Sequence, residues 1–170
     1  FPVPFALEEI NESISFSVNN SSKSSKEELI QKALNLHSKG KISDAKKTYT
    51  YLINQGLADH RVYCNYGSLL RGLGNLKEAE FIYRKAIELK PDDEIAHCNL
   101  GILLIALGRI KEAEVPTRKA IELNPNLAAA HCNLGNILID LEDFQEAELS
   151  LRKAIKLKPN LAEANCNLGI

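Results

Sequence analysis

The sequence predicts an all-α solenoid of antiparallel helical hairpins, and three features of its 170 residues indicate this fold. First, the stretch from His97 to Gly101 (HCNLG) recurs at His131 to Gly135, a spacing of 34 residues. Second, each period contains two stretches with apolar residues at three-to-four spacing, as in amphipathic helices. Third, Pro91, Pro125 and Pro159 follow the same spacing. Repetition at this length is typical of stacked helical units rather than of one globular core.

The unit formed by residues 94–127 shows how each hairpin is built. A first helix is expected over Ile95–Leu107, and Gly108 breaks it. A second helix is expected from Ile110 to Leu123, and it ends before Pro125 because proline lacks an amide donor and disfavours helical geometry in the preceding residue. The small residues that allow the two helices to approach closely are Gly101, Ala113 and Ala120.

The period divides the whole chain into six segments. Residues 1–25 form a mostly irregular N-terminal extension, 26–59 a degenerate first unit, 60–93, 94–127 and 128–161 three regular units, and 162–170 the first helix of a truncated fifth unit. The extension is expected to be irregular because its end is rich in serine and asparagine. Since Ile170 falls inside a helix without a cap, we expect the chain to be a fragment. The uncovered apolar face at this end is expected to allow self-association.

Two residues depart from the repeat pattern. Pro116 lies in the middle of a predicted helix, where it removes the hydrogen bond to Glu112 and is expected to kink the helix or weaken it by about 3 kcal/mol. Glu142 takes the place that glycine holds in the other hairpin turns, so that turn is expected to be less favourable.

The charge balance narrows the classes of partner. With 21 basic and 22 acidic residues, the net charge of −1 favours neither nucleic acid nor an anionic membrane. The sequence shows no membrane-spanning apolar stretch and no secretory signal, so a cytoplasmic location is expected. Exposed ion pairs four residues apart are expected on the second helices, namely Glu80–Arg84, Glu114–Arg118 and Glu148–Arg152.

The cysteines and histidines invite a metal or disulfide interpretation, which the repeat geometry disfavours. One cysteine occurs in each of four periods, at Cys64, Cys98, Cys132 and Cys166. Equivalent positions in stacked hairpins are expected roughly 10 Å apart, too far for a disulfide or a shared zinc ion. His97 and His131 point away from the adjacent cysteines and are expected to pack within their hairpins. No catalytic residue, metal or cofactor is assigned.

The repeat resembles the tetratricopeptide repeat (TPR) family. That family's pattern has a large residue, Leu-Gly, an aromatic or Leu, Ala, an aromatic, Ala and Pro at set offsets. In the second unit these positions are Tyr63, Tyr66, Gly67, Leu70, Ala79, Tyr83, Ala86 and Pro91. The resemblance implies a right-handed superhelix whose first helices line a concave groove. It therefore implies a non-enzymatic scaffold for protein–protein interaction that binds an extended peptide segment there.

The resemblance also implies which residues line the groove. They are Arg61, Cys64, Ser68 and Arg71 in the second unit, Ile95, Cys98, Ile102 and Ile105 in the third, and Cys132, Asn136 and Ile139 in the fourth. An apolar middle with a basic patch at one end favours an extended segment with aliphatic side chains and an acidic flank.

One asparagine follows each cysteine, and we call this set the asparagine ladder: Asn65, Asn99, Asn133 and Asn167. Amides roughly 10 Å apart would meet about every third residue of an extended peptide. The ladder resembles that of the superhelical TPR arm of O-linked N-acetylglucosamine transferases and of similar bacterial TPR proteins, where it grips peptide backbone. Local packing is the other interpretation, and both stay open. An alternative function is the substrate-recognition arm of a larger glycosyltransferase or sulfotransferase whose catalytic domain is absent from this chain.

Overall fold

The computed structural model describes residues 23–160, and within this range it consists of helices without any strand. The helices are α1 (Lys23–Ser38), α2 (Ile42–Asn54), α3 (His60–Gly72), α4 (Leu76–Leu89), α5 (Glu94–Ala106), α6 (Ile110–Leu123), α7 (Ala128–Asp140) and α8 (Phe144–Leu157). The predicted all-α fold is confirmed.

The described range differs from the predicted organisation at its start. α1 begins at Lys23, so residues 23–25 are helical although an irregular extension was predicted there. These residues include neither proline nor glycine, and serine disfavours a helix only slightly, so the helix continues backward into them. The rest of the extension and the predicted helix at residues 162–170 lie outside the described residues.

Each hairpin closes through a turn with one residue in the left-handed region. The φ values are 69° at Gly40, 78° at Gly74, 71° at Gly108 and 63° at Glu142. In the last of these turns, the Asp143 amide donates to the Leu138 carbonyl over 2.9 Å, the hydrogen bond of a Schellman motif. Glu142 therefore adopts the backbone conformation that glycine supplies in the other three turns.

The two helices of each regular hairpin meet at a glycine. A Cβ atom added to Gly67 would lie 2.7 Å from the ring of Tyr83. A Cβ added to Gly135 would lie 2.5 Å from Leu151 Cγ. Both contacts are shorter than van der Waals distance, so a larger residue at either glycine would push the helix axes apart.

The proline in the third unit does not end its helix. α6 runs without interruption from Ile110 to Leu123 although Pro116 supplies no N–H to the carbonyl of Glu112. Pro116 and Thr117 are buried against the rest of the hairpin, and the Thr117 hydroxyl donates to the Ala113 carbonyl over 2.8 Å. Burial of this helix face overrides the unfavourable local propensity of proline.

Neighbouring hairpins stack with their first helices on the inside. α1 contacts α3, α3 contacts α5, and α5 contacts α7, whereas no two second helices approach one another closely at the backbone within residues 23–160. Each of α2, α4 and α6 instead packs against the first helix of the next hairpin. Because the first helices approach one another and the second helices are spread apart, the stack curves with α1, α3, α5 and α7 on its concave side.

The outer helices carry the ion pairs that the sequence predicts. The Glu80–Arg84, Glu114–Arg118 and Glu148–Arg152 pairs each have a nitrogen–oxygen distance of 2.8 Å. Two more pairs link neighbouring hairpins, Arg109–Glu80 and Arg118–Glu146, both at 2.7 Å. Because water and salt screen exposed pairs of this kind, each contributes little to the stability of the fold. Within the described residues, no helix combines the length and the apolar composition that crossing a bilayer requires.

Candidate functional site

The concave side presents one stripe of side chains from each first helix. On α5, Ile95, Asn99 and Ile102 are spaced by four and three residues, so they share one face of the helix. All three are at least partly exposed, and Ile95 is 44% exposed. The equivalent stripes are Arg61, Asn65 and Ser68 on α3, and Ala129, Asn133 and Asn136 on α7. Because α3, α5 and α7 touch in succession, these stripes form one continuous surface, here called the inner surface.

The middle of the inner surface is apolar. Ile102 packs partly buried against Cys98 and Ala130. Ile105 and Ile139 are half-buried at the margin of the core. The stripes on α3 and α7 are polar by contrast, so the surface has an apolar centre between two polar flanks.

The cysteines of the groove prediction lie beneath this surface. Cys64, Cys98 and Cys132 are buried and carry free thiols. Burial raises the pKa of Cys64 and of Cys98 to about 11. Cys166 lies outside the described residues, and within residues 23–160 no three potential metal ligands cluster. The three buried cysteines therefore pack beneath the inner surface and are not exposed on it.

The asparagine ladder links neighbouring hairpins. Asn99 Nδ2 donates to Cys64 Sγ over 3.4 Å, and Asn133 Nδ2 donates to Cys98 Sγ over 3.5 Å. Asn65 Nδ2 instead donates over 2.8 Å to the carbonyl of Arg61 in its own helix. These contacts engage one donor of each amide and do not involve its carbonyl oxygen. Asn133 is only 8% exposed, and Asn167 lies outside the described residues.

The two arginines of the predicted basic patch have different surroundings. Arg61 binds Glu27 through two hydrogen bonds of 3.0 and 2.7 Å and also binds Asp59. Hydrogen bonding to Arg61 is the main cause that lowers the pKa of Glu27. Arg71 has no carboxylate partner among the described residues, and its Nε atom is buried without a hydrogen bond. Only Arg71 therefore has an uncompensated charge at this end of the surface.

Two hydroxyl groups lie beside Arg71. Ser68, one helical turn earlier, has its Oγ 3.0 Å from the Oη of Tyr83. Burial raises the pKa of Tyr83, and the nearby Ser68 and Arg71 partly offset that rise. This polar group has no equivalent in the next hairpin, where Ile102 and Ile105 take the places of Ser68 and Arg71.

The histidines hold turns rather than a ligand. The Nε2 atoms of His97 and His131 each lie 2.9 Å from the carbonyl oxygen of the proline that precedes the helix, Pro91 and Pro125 respectively. The packing role predicted for them agrees with these contacts.

Sequence reasoning missed a polar contact between hairpins. His60 Nδ1 lies 2.5 Å from Asp93 Oδ2, and the buried Asp93 also accepts hydrogen bonds from the amides of Ile95 and Ala96 at the start of α5. An aspartate just before a predicted helix signals an N-cap, so this half of the arrangement was visible in the sequence. Its histidine partner was not, because that contact depends on how the hairpins stack.

A second missed feature is a row of apolar side chains on the outer helices, here called the outer row. It consists of Phe81 on α4, Val115 on α6 and Leu149 on α8, which are 58%, 73% and 68% exposed. The common spacing of 34 residues was the signal that could have revealed it.

These features define a class of protein, a helical-repeat solenoid with a continuous inner surface. Three family models, each described as a tetratricopeptide repeat, match residues 60–93, 82–115 and 128–161, which together make up more than half of the chain. The chain belongs to the tetratricopeptide repeat family. A comparison with curated protein sequences gave no match.

Solved structures of other proteins share the fold. YrrB is 23% identical, with a TM-score of 0.74 over 86% of this chain and 76% of YrrB. MamA of Desulfovibrio magneticus RS-1 is 19% identical, with a TM-score of 0.75 over 85% of this chain and 81% of MamA. The pilF protein of Pseudomonas aeruginosa is 19% identical, with a TM-score of 0.76 over 85% of this chain and 66% of its own. At these identities the likeness establishes the fold alone.

Proposed function

We propose that this chain binds an extended peptide segment of a partner protein along the inner surface. The observation that carries the proposal is the continuity of that surface, with partly exposed Ile95 and Ile102 at its centre and polar stripes on either side. An extended peptide offers alternating side chains and backbone amides, which suits isoleucines beside asparagines. The fold is shared with YrrB, which is described as a TPR protein with an unusual peptide-binding site.

Within this proposal, the asparagine ladder contributes to both packing and binding. One donor of Asn99 or Asn133 bonds a cysteine sulfur, while the carbonyl oxygen and second N–H of each amide remain outside that contact. We assign those groups to the peptide backbone, which has one donor and one acceptor per residue.

The competing location is the outer row, because it also exposes apolar side chains. The two surfaces are distinguished by Ile95→Glu on α5 and Val115→Glu on α6. Both changes place a carboxylate on an exposed aliphatic position and alter the net charge equally. Val115→Glu is therefore the matched control for folding and for long-range electrostatics.

The experiment selects binders from a library of short random peptides and measures their affinity for both variants by fluorescence polarisation. Ile95→Glu is expected to weaken binding by about tenfold or more, because a carboxylate is placed against apolar peptide side chains. Val115→Glu is expected to bind as the unmodified chain does. Loss of binding in Val115→Glu alone would place the site on the outer row and defeat the proposal, as would a library that yields no binder.

A further inference from the structure

The arginines of this chain differ in one respect that points to a ligand. All six lie within the described residues, and five of them, Arg61, Arg84, Arg109, Arg118 and Arg152, have a carboxylate oxygen within 2.8 Å. Arg71 has none there, although it lies half-buried in the last turn of an inner helix. Its charge is therefore compensated neither by a partner nor by full exposure to water.

The hydrogen bonding of Arg71 is also incomplete. Its Nε atom is buried and makes no hydrogen bond to any residue between 23 and 160. A buried donor without a partner costs about 1–3 kcal/mol, so such a group calls for an explanation. The partly exposed hydroxyl of Ser68 adds a further donor on the same side of α3, and the buried hydroxyl of Tyr83 lies 3.0 Å behind it. This set of groups matches an anion that accepts several hydrogen bonds at once.

The chemistry favours a carboxylate as that anion. A guanidinium presents a planar fork of donors that fits a carboxylate in two parallel hydrogen bonds. One arginine with one neutral hydroxyl balances a single negative charge, whereas a phosphorylated residue carries nearly two. The peptide proposed for the inner surface is the molecule that would bring a carboxylate to this position.

We propose that Arg71, together with Ser68, binds a carboxylate of the peptide on the inner surface, an inference that rests on the function proposed above. The corresponding positions of the next hairpin are Ile102 and Ile105, one repeat or roughly 10 Å further along. An extended chain rises about 3.3 Å per residue, so the ligand carries an aliphatic side chain about three residues from its carboxylate. The carboxylate belongs to an aspartate or glutamate side chain or to a C-terminus.

The test uses the chain with Arg71→Gln and, as the control, Arg84→Gln. Arg84 lies on the outer side of α4 and is paired with Glu80, so its substitution changes the net charge equally but leaves the inner surface intact. Random peptides are selected against the unmodified chain and then synthesised in three forms. These are the free acid, the C-terminal amide, and the amide with each Asp or Glu replaced in turn by Asn or Gln. The three forms separate a side-chain carboxylate from a C-terminal one.

Arg71→Gln is expected to weaken binding of the acidic peptide about tenfold. It should not change the affinity for the peptide form in which the critical carboxylate has been neutralised. Arg84→Gln should change neither affinity. Urea unfolding of Arg71→Gln should show no loss of stability, because no carboxylate contact is removed.

Two other results would overturn the inference in distinguishable ways. Peptides that bind in an Ile95-dependent manner but are insensitive to Arg71→Gln would leave the proposed function standing and eliminate the carboxylate site. A library that yields no binder at all would remove both proposals.

Discussion

The turn between α7 and α8 contains a non-glycine residue in a conformation that glycine adopts in the other hairpins, and this predicts that Glu142→Gly stabilises the protein. Glu142 has a φ of 63°. An L-residue in this region costs roughly 1–2 kcal/mol relative to the right-handed one. Glycine removes that cost but makes the unfolded chain more flexible, which opposes the gain by roughly 0.4–1 kcal/mol. The net expectation is a gain of about 0.5–1 kcal/mol, or a rise in Tm of roughly 2 °C.

The structure supplies controls for this prediction. The Glu142 side chain is exposed and forms no hydrogen bond or ion pair within residues 23–160, so its removal deletes no contact. Glu142→Ala removes the same carboxylate but retains a Cβ atom, so it should give no comparable gain. Gly108→Ala should lower stability by about 0.5–1 kcal/mol, because Gly108 has a φ of 71° and its added methyl would meet no atom within 4 Å.

The assay is urea denaturation followed by far-UV circular dichroism, with the transition midpoint compared at an unchanged m value. A Glu142→Gly protein that is no more stable than Glu142→Ala would refute the assignment of backbone strain to this turn.

Three further predictions concern the packing beneath the inner surface. The same substitution at two glycines of α3 should have opposite effects in urea denaturation. Gly67→Ala should destabilise the protein by about 1–3 kcal/mol because its methyl would clash with the buried Tyr83 ring, whereas the methyl of Gly72→Ala meets nothing within 4 Å and should stabilise it by up to about 1 kcal/mol. Equal effects would contradict the close approach of the two helices at Gly67. The pKa of Cys64 and of Cys98 is raised to about 11, so both thiols should resist iodoacetamide at pH 8 in the folded protein and react with it in urea. Peptide mass mapping would identify the labelled cysteines, and rapid labelling of either thiol in the folded protein would contradict its burial. Because the folded state retains protons that the unfolded chain releases, these thiols should also reduce stability as the pH rises from about 9 towards 11, with no such loss below that range.

The sequence was sufficient for the parts of the fold that depend on nearby residues. The helix expected over Ile110–Leu123 has those bounds in the structure, and the helix expected over Ile95–Leu107 is displaced by a single residue at each end. The turn at Glu142 was identified because glycine occupies its equivalents. Helix bounds and turn conformations are set by backbone sterics and by hydrogen bonds between residues four or five positions apart. A repeated sequence pattern therefore predicts them directly.

Prediction was weaker where burial competes with local propensity. Pro116 was expected to kink or weaken its helix. α6 continues past it to Leu123, with Thr117 buried in the hairpin, and the loss of stability stays a prediction. Lys23 was placed in an irregular extension because serine-rich composition is only a statistical guide to where a helix begins.

By itself, the sequence determined the repeat and the hairpins, and helical spacing places Ile95 and Ile102 on one face of their helix. Only the tertiary structure decided what the side chains at those positions do. It paired Arg61 with Glu27, left Arg71 without a carboxylate partner within residues 23–160, and bonded Asn99 to Cys64. The physical reason is that such contacts join residues more than 30 positions apart. Whether they form is set by the distance and rotation between stacked hairpins.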